Sequence, residues 1–239
     1  MWVKATGEHR LDADHVDIWR SRIDLPAQRI DEFHATLSGE EKQRAARFKF
    51  PGKFEEYVVT RGLLRQALSI VMSQAPGSFD FQYSEDNKPF LDLALDDKPI
   101  AFNVSHSHGM ALVALGLDRR LGIDVEKLRE DPEHDKLARR YFSKVENEQF
   151  EKFQGDRARA FFATWTRKEA FVKAVGKGIK YGLSEFDVNI DPDEAPRMLR
   201  TGWQENDLNN WHMLGIDCGD DYIATVIADG PSYSVRLWE

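Results

Sequence analysis

Apolar and polar positions along this chain follow two rhythms, a period of two that predicts strands and a period near 3.6 that predicts helices. Alternation over residues 16–20 predicts an early strand. Ser38, three residues before Glu41, predicts a helix start closed by a capping box, with Arg44 and Arg47 carried along the helix toward Phe48. From about 54 to 72 a second helix is predicted, with Val58, Leu64, Leu68 and Val71 inward and Arg61 and Arg65 together on the opposite side. Strands are predicted over 79–83, 100–104 and 110–115, the last two joined by Ser105, His106, Ser107, His108 and Gly109. After a turn at Asp118, Arg119 and Arg120, residues 121–126 alternate again, and these strands are expected to share one small antiparallel sheet.

The second half opens with helices, predicted over 135–141, 144–153 and 158–175, the last ending at Gly176. Strands are predicted to follow at 186–190, 211–214, 222–228 and 234–238. Helices and strands segregate instead of alternating as βαβ units, which predicts an α+β fold. Acidic, proline-containing stretches at 96–99 and 191–196 read as surface turns.

Composition narrows the function classes without choosing one. The chain has 239 residues, 41% hydrophobic and 31% charged, enough to bury a core as one large domain or two small ones. A net charge of −8 argues against a general nucleic-acid or anionic-membrane binder, though it leaves room for a local basic cleft. With Cys218 the only cysteine, there is neither an intramolecular disulfide nor a cysteine cluster for zinc. The first ten residues lack the apolar run of a signal peptide, and no stretch of 18 consecutive apolar residues occurs, so a cytoplasmic protein is expected.

Two charged segments carry the candidate chemistry. In Leu121-Gly122-Ile123-Asp124-Val125-Glu126-Lys127, strand alternation puts both carboxylates on one side while Ile123 and Val125 point into the core. In Trp165-Thr166-Arg167-Lys168-Glu169-Ala170-Phe171-Val172-Lys173, helical spacing puts Glu169 and Lys173 one turn apart on a common face. Three carboxylates and a lysine suit Mg²⁺ with a diphosphate, because Mg²⁺ takes oxygen ligands and is held by a few carboxylates together with substrate phosphates. Either segment alone reads more plainly as a solvated acidic strand or a surface ion pair. Phe161, Phe162, Trp165 and Val172 suit the buried side of that helix.

The two segments resemble the signature motifs of the 4'-phosphopantetheinyl transferase superfamily. Further stretches agree in order: Glu40 to Phe48 and Thr60 to Arg65 with its basic N-terminal part, Asn87-Lys88-Pro89 with its Gly-Lys-Pro turn, and Ala101 to Ser107 with its Phe-Asn-(Ile/Val)-Ser-His-Ser segment. Length and the presence of an N-terminal half resemble the larger, pseudo-dimeric type. The resemblance implies two similar subdomains, 1–118 and 119–239, each a small antiparallel sheet with helices, related by a pseudo-twofold axis with the active site in the cleft between them. It implies a monomer that moves 4'-phosphopantetheine from coenzyme A to a serine of an apo acyl or peptidyl carrier protein, with release of 3',5'-ADP.

The same resemblance makes Asp124, Glu126 and Glu169 the ligands of Mg²⁺, with Mn²⁺ able to stand in. Glu169 is also the candidate base, and Lys173 lies against the diphosphate. For coenzyme A it implies Arg44, Arg61, Lys88, Pro89, Ser105, His106 and Lys173. His108 departs from the small residue the family often has there. Lys177, Lys180 and Tyr181 read equally as a carrier contact or an exposed basic turn. Two other classes stay open: a Mg²⁺ phosphohydrolase using the same ligands, although no Gly-x-x-x-x-Gly-Lys-(Ser/Thr) loop occurs, and a non-catalytic binder of coenzyme A or carrier protein.

Overall fold

The computed structural model describes residues 1–5, 9–86, 88–131, 133–176, 182–202 and 205–239. Asn87 and the turn of Lys177, Lys180 and Tyr181 lie outside the described residues. In chain order the elements are β1 (His15–Arg22), α1 (Ala27–Thr36), α2 (Gly39–Ala45), α3 (Lys53–Met72), β2 (Gln82–Tyr83), β3 (Pro89–Phe90), β4 (Ala94–Leu95), β5 (Lys98–Ser107), β6 (Met110–Leu117) and β7 (Leu121–Lys127). There follow α4 (His134–Tyr141), α5 (Lys144–Lys152), α6 (Arg157–Val175), β8 (Asp187–Val188), β9 (Met198–Arg200), β10 (Trp211–Ile216), β11 (Tyr222–Asp229) and β12 (Ser234–Trp238). The segregated α+β class is thus observed. No described helix is long and apolar enough to cross a membrane.

Two compact units result, Met1–Asp118 with Tyr233–Glu239, and Arg119–Ser232. In the first, the strand order is β12-β1-β6-β5-β4, and the wholly buried β6 pairs antiparallel with β1 and β5. Ala111, Val113 and Leu115 alternate toward Val58, Leu64, Leu68 and Val71 of α3 in one core. Helix α1 was not legible in the sequence: Pro26 at its N-cap offers no side-chain cap, and Phe33 is its one buried residue. Phe33 occupies the space a side chain on Gly62 would need, so a glycine in α3 admits α1.

The last strand does not belong with residues 119–232. β12 pairs parallel with β1, from His15 opposite Ser234 to Trp19 opposite Trp238. The reason lies in charge and stacking: Arg236 donates to the fully buried Asp17 at 2.6 Å and to Asp12 at 2.8 Å, and Trp238 stacks on Trp19 at 5.7 Å. A buried carboxylate without such a partner would be costly.

In the second unit, β7 joins β11 and β10 in a three-stranded antiparallel sheet, not the sheet of β5 and β6 expected from sequence. Helix α6 starts at an Asp156 cap and stops at Gly176, whose φ of 79° is left-handed. Its Phe161 and Phe162 pack with Phe142 and Phe150 in one cluster, and its Phe171 with Phe186 and Trp211 in another.

One local device occurs in both units. Ser38 caps α2 and Glu41 closes the capping box, and the same carboxylate oxygen, Oε2, also accepts from Arg65 of α3, Nε donating at 2.9 Å; Arg65 also donates to the Pro76 carbonyl at 2.9 Å. Ser143 caps α5 and Glu146 closes its box, gripped by Lys168 of α6 at 2.6 Å; Lys168 also donates to the Phe186 carbonyl at 2.7 Å. Arg61 and Arg65 do share one side of α3, both pairing with Glu41, but that side is turned inward by the carboxylate of α2, and Arg65 is 1% exposed. Removing one partner of such a pair leaves a buried charge unpaired. Lys168→Met is expected to lower unfolding free energy by about 3 kcal/mol in urea titrations.

Candidate active site

Side chains 122, 124 and 126 share one face of β7. Taken alone, the strand's alternation reads as a solvated face, but α6 covers it. Gly122 is the reason: a Cβ there would overlap the Ala170 carbonyl oxygen and stand 2.6 Å from the Ala174 amide nitrogen, so only glycine lets helix and strand backbones meet. Asp124 is consequently buried and Glu126 half-buried. Thr166 on the same side of α6 shares a hydroxyl hydrogen bond with Thr225, the residue paired with Asp124 across β11 and β7. Helix and strand are locked in register around the carboxylates.

Lys173 completes the contact. Its Nζ donates to Asp124 Oδ1 at 2.6 Å and to the Ile123 carbonyl at 3.1 Å. Glu169, one turn earlier, is half-buried, and burial pushes its carboxyl up; Asp124 raises it further, Lys173 pulls it back, and Glu126 adds repulsion. Arg129 stands 3.5 Å from Glu126 and lies over the Phe162 ring. The three acids are therefore electrostatic neighbours. They do not form a ready ligand cage: among the described residues no three His, Cys, Asp or Glu side chains are grouped to hold a metal ion. Asp124 is held by an ammonium and Glu126 by a guanidinium. The donor set nevertheless fits Mg²⁺ in chemistry, being hard carboxylate oxygens whose mutual repulsion a cation relieves, and Mg²⁺ sites commonly draw their remaining oxygens from water and phosphate.

Two neighbours in this segment are structural. Arg167 is buried and donates to the carbonyls of Asn189 at 2.5 Å, Asp191 at 3.0 Å and Glu194 at 3.1 Å; burial lowers its pKa to about 10. Lys168 has the capping role already described.

Apart from Lys173, the coenzyme A candidates lie in the first unit. Arg44 lines a cleft of about 490 Å³ with Arg47, Tyr57, Phe81 and Tyr83, and its guanidinium lies over the Tyr57 ring at 5.6 Å. Pro89 pairs with Tyr83, a residue of the cleft wall, in the β2–β3 hairpin, but neither Pro89 nor Lys88 lines the cleft itself. Lys88 accepts from the Ser84 amide through its carbonyl at 3.0 Å and donates its amide to Ser84 Oγ at 3.1 Å, a tight turn. Arg61 and His106 line a separate hollow of about 110 Å³ with Tyr57, Thr60, Leu64 and Val104. Arg61 pairs with Glu41 at 3.1 Å, and His106 Nδ1 stands 3.9 Å from Glu56. Strand β5 runs through Ser105 to Ser107, so Ser105 is buried in the sheet, and the connecting turn is only His108 and Gly109, both at positive φ. Arg47, Tyr57 and Tyr83 were not named from sequence as site residues. Arg47 lay within the matched basic stretch, and the aromatics carry no local signal.

Comparison with known proteins identifies the family. The model of the 4'-phosphopantetheinyl transferase superfamily matches residues 120–227, and that of the 4'-phosphopantetheinyl transferase N-terminal region matches 26–116. The chain is 33% identical to the 4'-phosphopantetheinyl transferase HetI of Nostoc sp. over 238 residues, 99% of this chain and 97% of that one. It is 30% identical to a 4'-phosphopantetheinyl transferase of Bacillus subtilis over 170 residues, 71% and 73% of the two chains. With both halves matched in order and one relative aligned almost end to end, the chain belongs to the 4'-phosphopantetheinyl transferase superfamily, in its larger two-part form.

Proposed function

We propose that this protein transfers the 4'-phosphopantetheine group of coenzyme A to a serine of an apo acyl or peptidyl carrier protein, releasing 3',5'-ADP. The observation that supports it most is the α6–β7 contact, where Lys173 meets Asp124 and Glu169 is raised by burial and then by both strand carboxylates. Transfer of this kind is largely positioning and charge neutralisation. Asp124, Glu126 and Glu169 would hold Mg²⁺, which supplies charge withdrawal from the attacked diphosphate. Lys173 is placed to exchange its Asp124 contact for the charge that builds on the departing 3',5'-ADP. Glu169 is also the candidate base for the serine hydroxyl, directly or through a metal-bound water, a role secondary to its ligand role because a carboxylate on Mg²⁺ loses basicity.

Arg44 is the 3'-phosphate contact in this reading, its guanidinium making no ion pair among the described residues. Arg44→Ala is expected to raise the KM for coenzyme A roughly tenfold with kcat retained, as loss of one charged hydrogen bond implies. An unchanged KM would remove it from the site. Arg61 and Ser105, tied into ion pair and sheet, are secondary to it, and His106 contributes a ring open to solvent.

The two units are read as similar subdomains related by a pseudo-twofold axis, a reading supported by the repeated serine cap, buried glutamate and gripping cation of α2–α3 and α5–α6. The enzyme is further taken as a cytoplasmic monomer. The test is direct: purified protein, Mg²⁺, coenzyme A and apo carrier proteins should yield the phosphopantetheine mass increment on the carrier serine, and chelation of the metal should stop it. Hydrolysis of coenzyme A without carrier modification would instead support a phosphohydrolase.

A further inference from the structure

The chain carries net charge −8, yet residues 42–53 hold Lys42, Arg44, Arg47, Lys49 and Lys53 and no carboxylate. Charge is usually interspersed on a surface, so a run of this kind marks a place where an anionic partner is favoured. Lys53 is neutralised by Glu56 at 2.5 Å, and Lys42 donates to the Ala35 carbonyl at 3.3 Å. Arg47 and Lys49 make no ion pair among the described residues. Arg20, Arg22, Arg29, Arg120, Arg157 and Arg200, by contrast, each face a carboxylate.

Aromatic residues are interleaved with these cations. Phe48 packs its ring on Tyr57 at 5.5 Å, which fixes the base of the loop between α2 and α3. Phe50, two residues on, is 77% exposed, and the chain then turns into α3 through Gly52 at φ 80°. A large aromatic side chain held out beside unpaired cations is the composition of an interface anchor, because aromatics and arginine supply most interface energy while the surrounding charge steers approach.

We propose that the 46–53 loop is a docking surface for an acidic protein face with an apolar notch, Phe50 entering the notch while Lys49 meets its carboxylates. Resting on the transferase reading, that partner is the apo carrier protein, the one macromolecule the reaction requires. A lipid surface is the less favoured occupant, since the proposed reaction requires a carrier protein and no membrane.

The experiment uses the full chain with Lys49→Glu, Phe50→Ser and the double substitution, none of which touches the cleft of Arg44. Steady-state KM is measured separately for apo carrier and for coenzyme A. Apo-carrier affinity is also titrated calorimetrically without coenzyme A at two salt concentrations. The double variant is expected to raise the carrier KM and Kd about tenfold and to flatten the salt dependence, with kcat and the coenzyme A KM within about twofold. Unchanged carrier KM and Kd, or a rise confined to coenzyme A, would overturn the docking surface while leaving the transferase reading intact. Binding of the wild type to phosphatidylserine vesicles, lost in the double variant, would assign the loop to lipid and overturn it as well. Wild-type protein that modifies no carrier would overturn both the reaction and this partner.

Discussion

Glu169→Gln is expected to reduce carrier modification by on the order of 10³-fold while the melting temperature stays level or rises. The isostere keeps the shape of a side chain on α6 but removes both a metal-ligating charge and a proton acceptor. Stability should not fall, because the native carboxylate is half-buried and stands among Asp124 and Glu126, whose repulsion the amide no longer feels. Mass spectrometry of the carrier and a thermal melt on the same preparation separate the two effects. An inactive variant that also melts well below the wild type would make Glu169 a structural residue; a variant that still transfers at the wild-type rate would dismiss it from the chemistry.

Gly122→Val is expected to cost roughly 3 kcal/mol or more in unfolding free energy and to abolish transfer, although the residue carries no functional group. The obstruction is backbone, the Ala170 carbonyl and the Ala174 amide, which cannot swing aside as a side chain end could. Helix α6 would have to lift from β7, taking Lys173 from Asp124 and separating Glu169 from both strand carboxylates. Urea titration combined with the transfer assay reads both consequences. Full activity with native stability would mean that the close approach of α6 to β7 is not what sets the site.

Much of this was legible in the sequence because its causes are local. The capping box at Ser38 fixes the start of α2 through residues three positions apart, and the range 144–153 anticipated α5, although its own box at Ser143 emerged only in the structure. The extent of α6 followed from its apolar spacing and Gly176. What was not legible depends on partners distant in sequence. Whether the face of Asp124 and Glu126 meets solvent or a helix depends on α6, some forty residues away, and Arg65 turns inward only because Glu41 waits in the core. Strand β12 could be recognised as a strand from 234–238, but its neighbour, β1, lies at the other end of the chain. For the candidate site the sequence located Asp124, Glu126, Glu169 and Lys173. It could not foresee that Lys173 and Arg129 would already engage two of the acids.

The position of β12 bears on how the molecule is made. A nascent polypeptide that has released only its first 118 residues exposes one rim of β1, an open template for strand addition by another molecule. The sheet gains its outermost strand, and Asp17 its Arg236 counterion, only after residues 233–239 leave the ribosome. Synthesis of the early half alone should therefore yield a self-associating fragment, and supplying a peptide of the terminal strand in trans should restore its solubility.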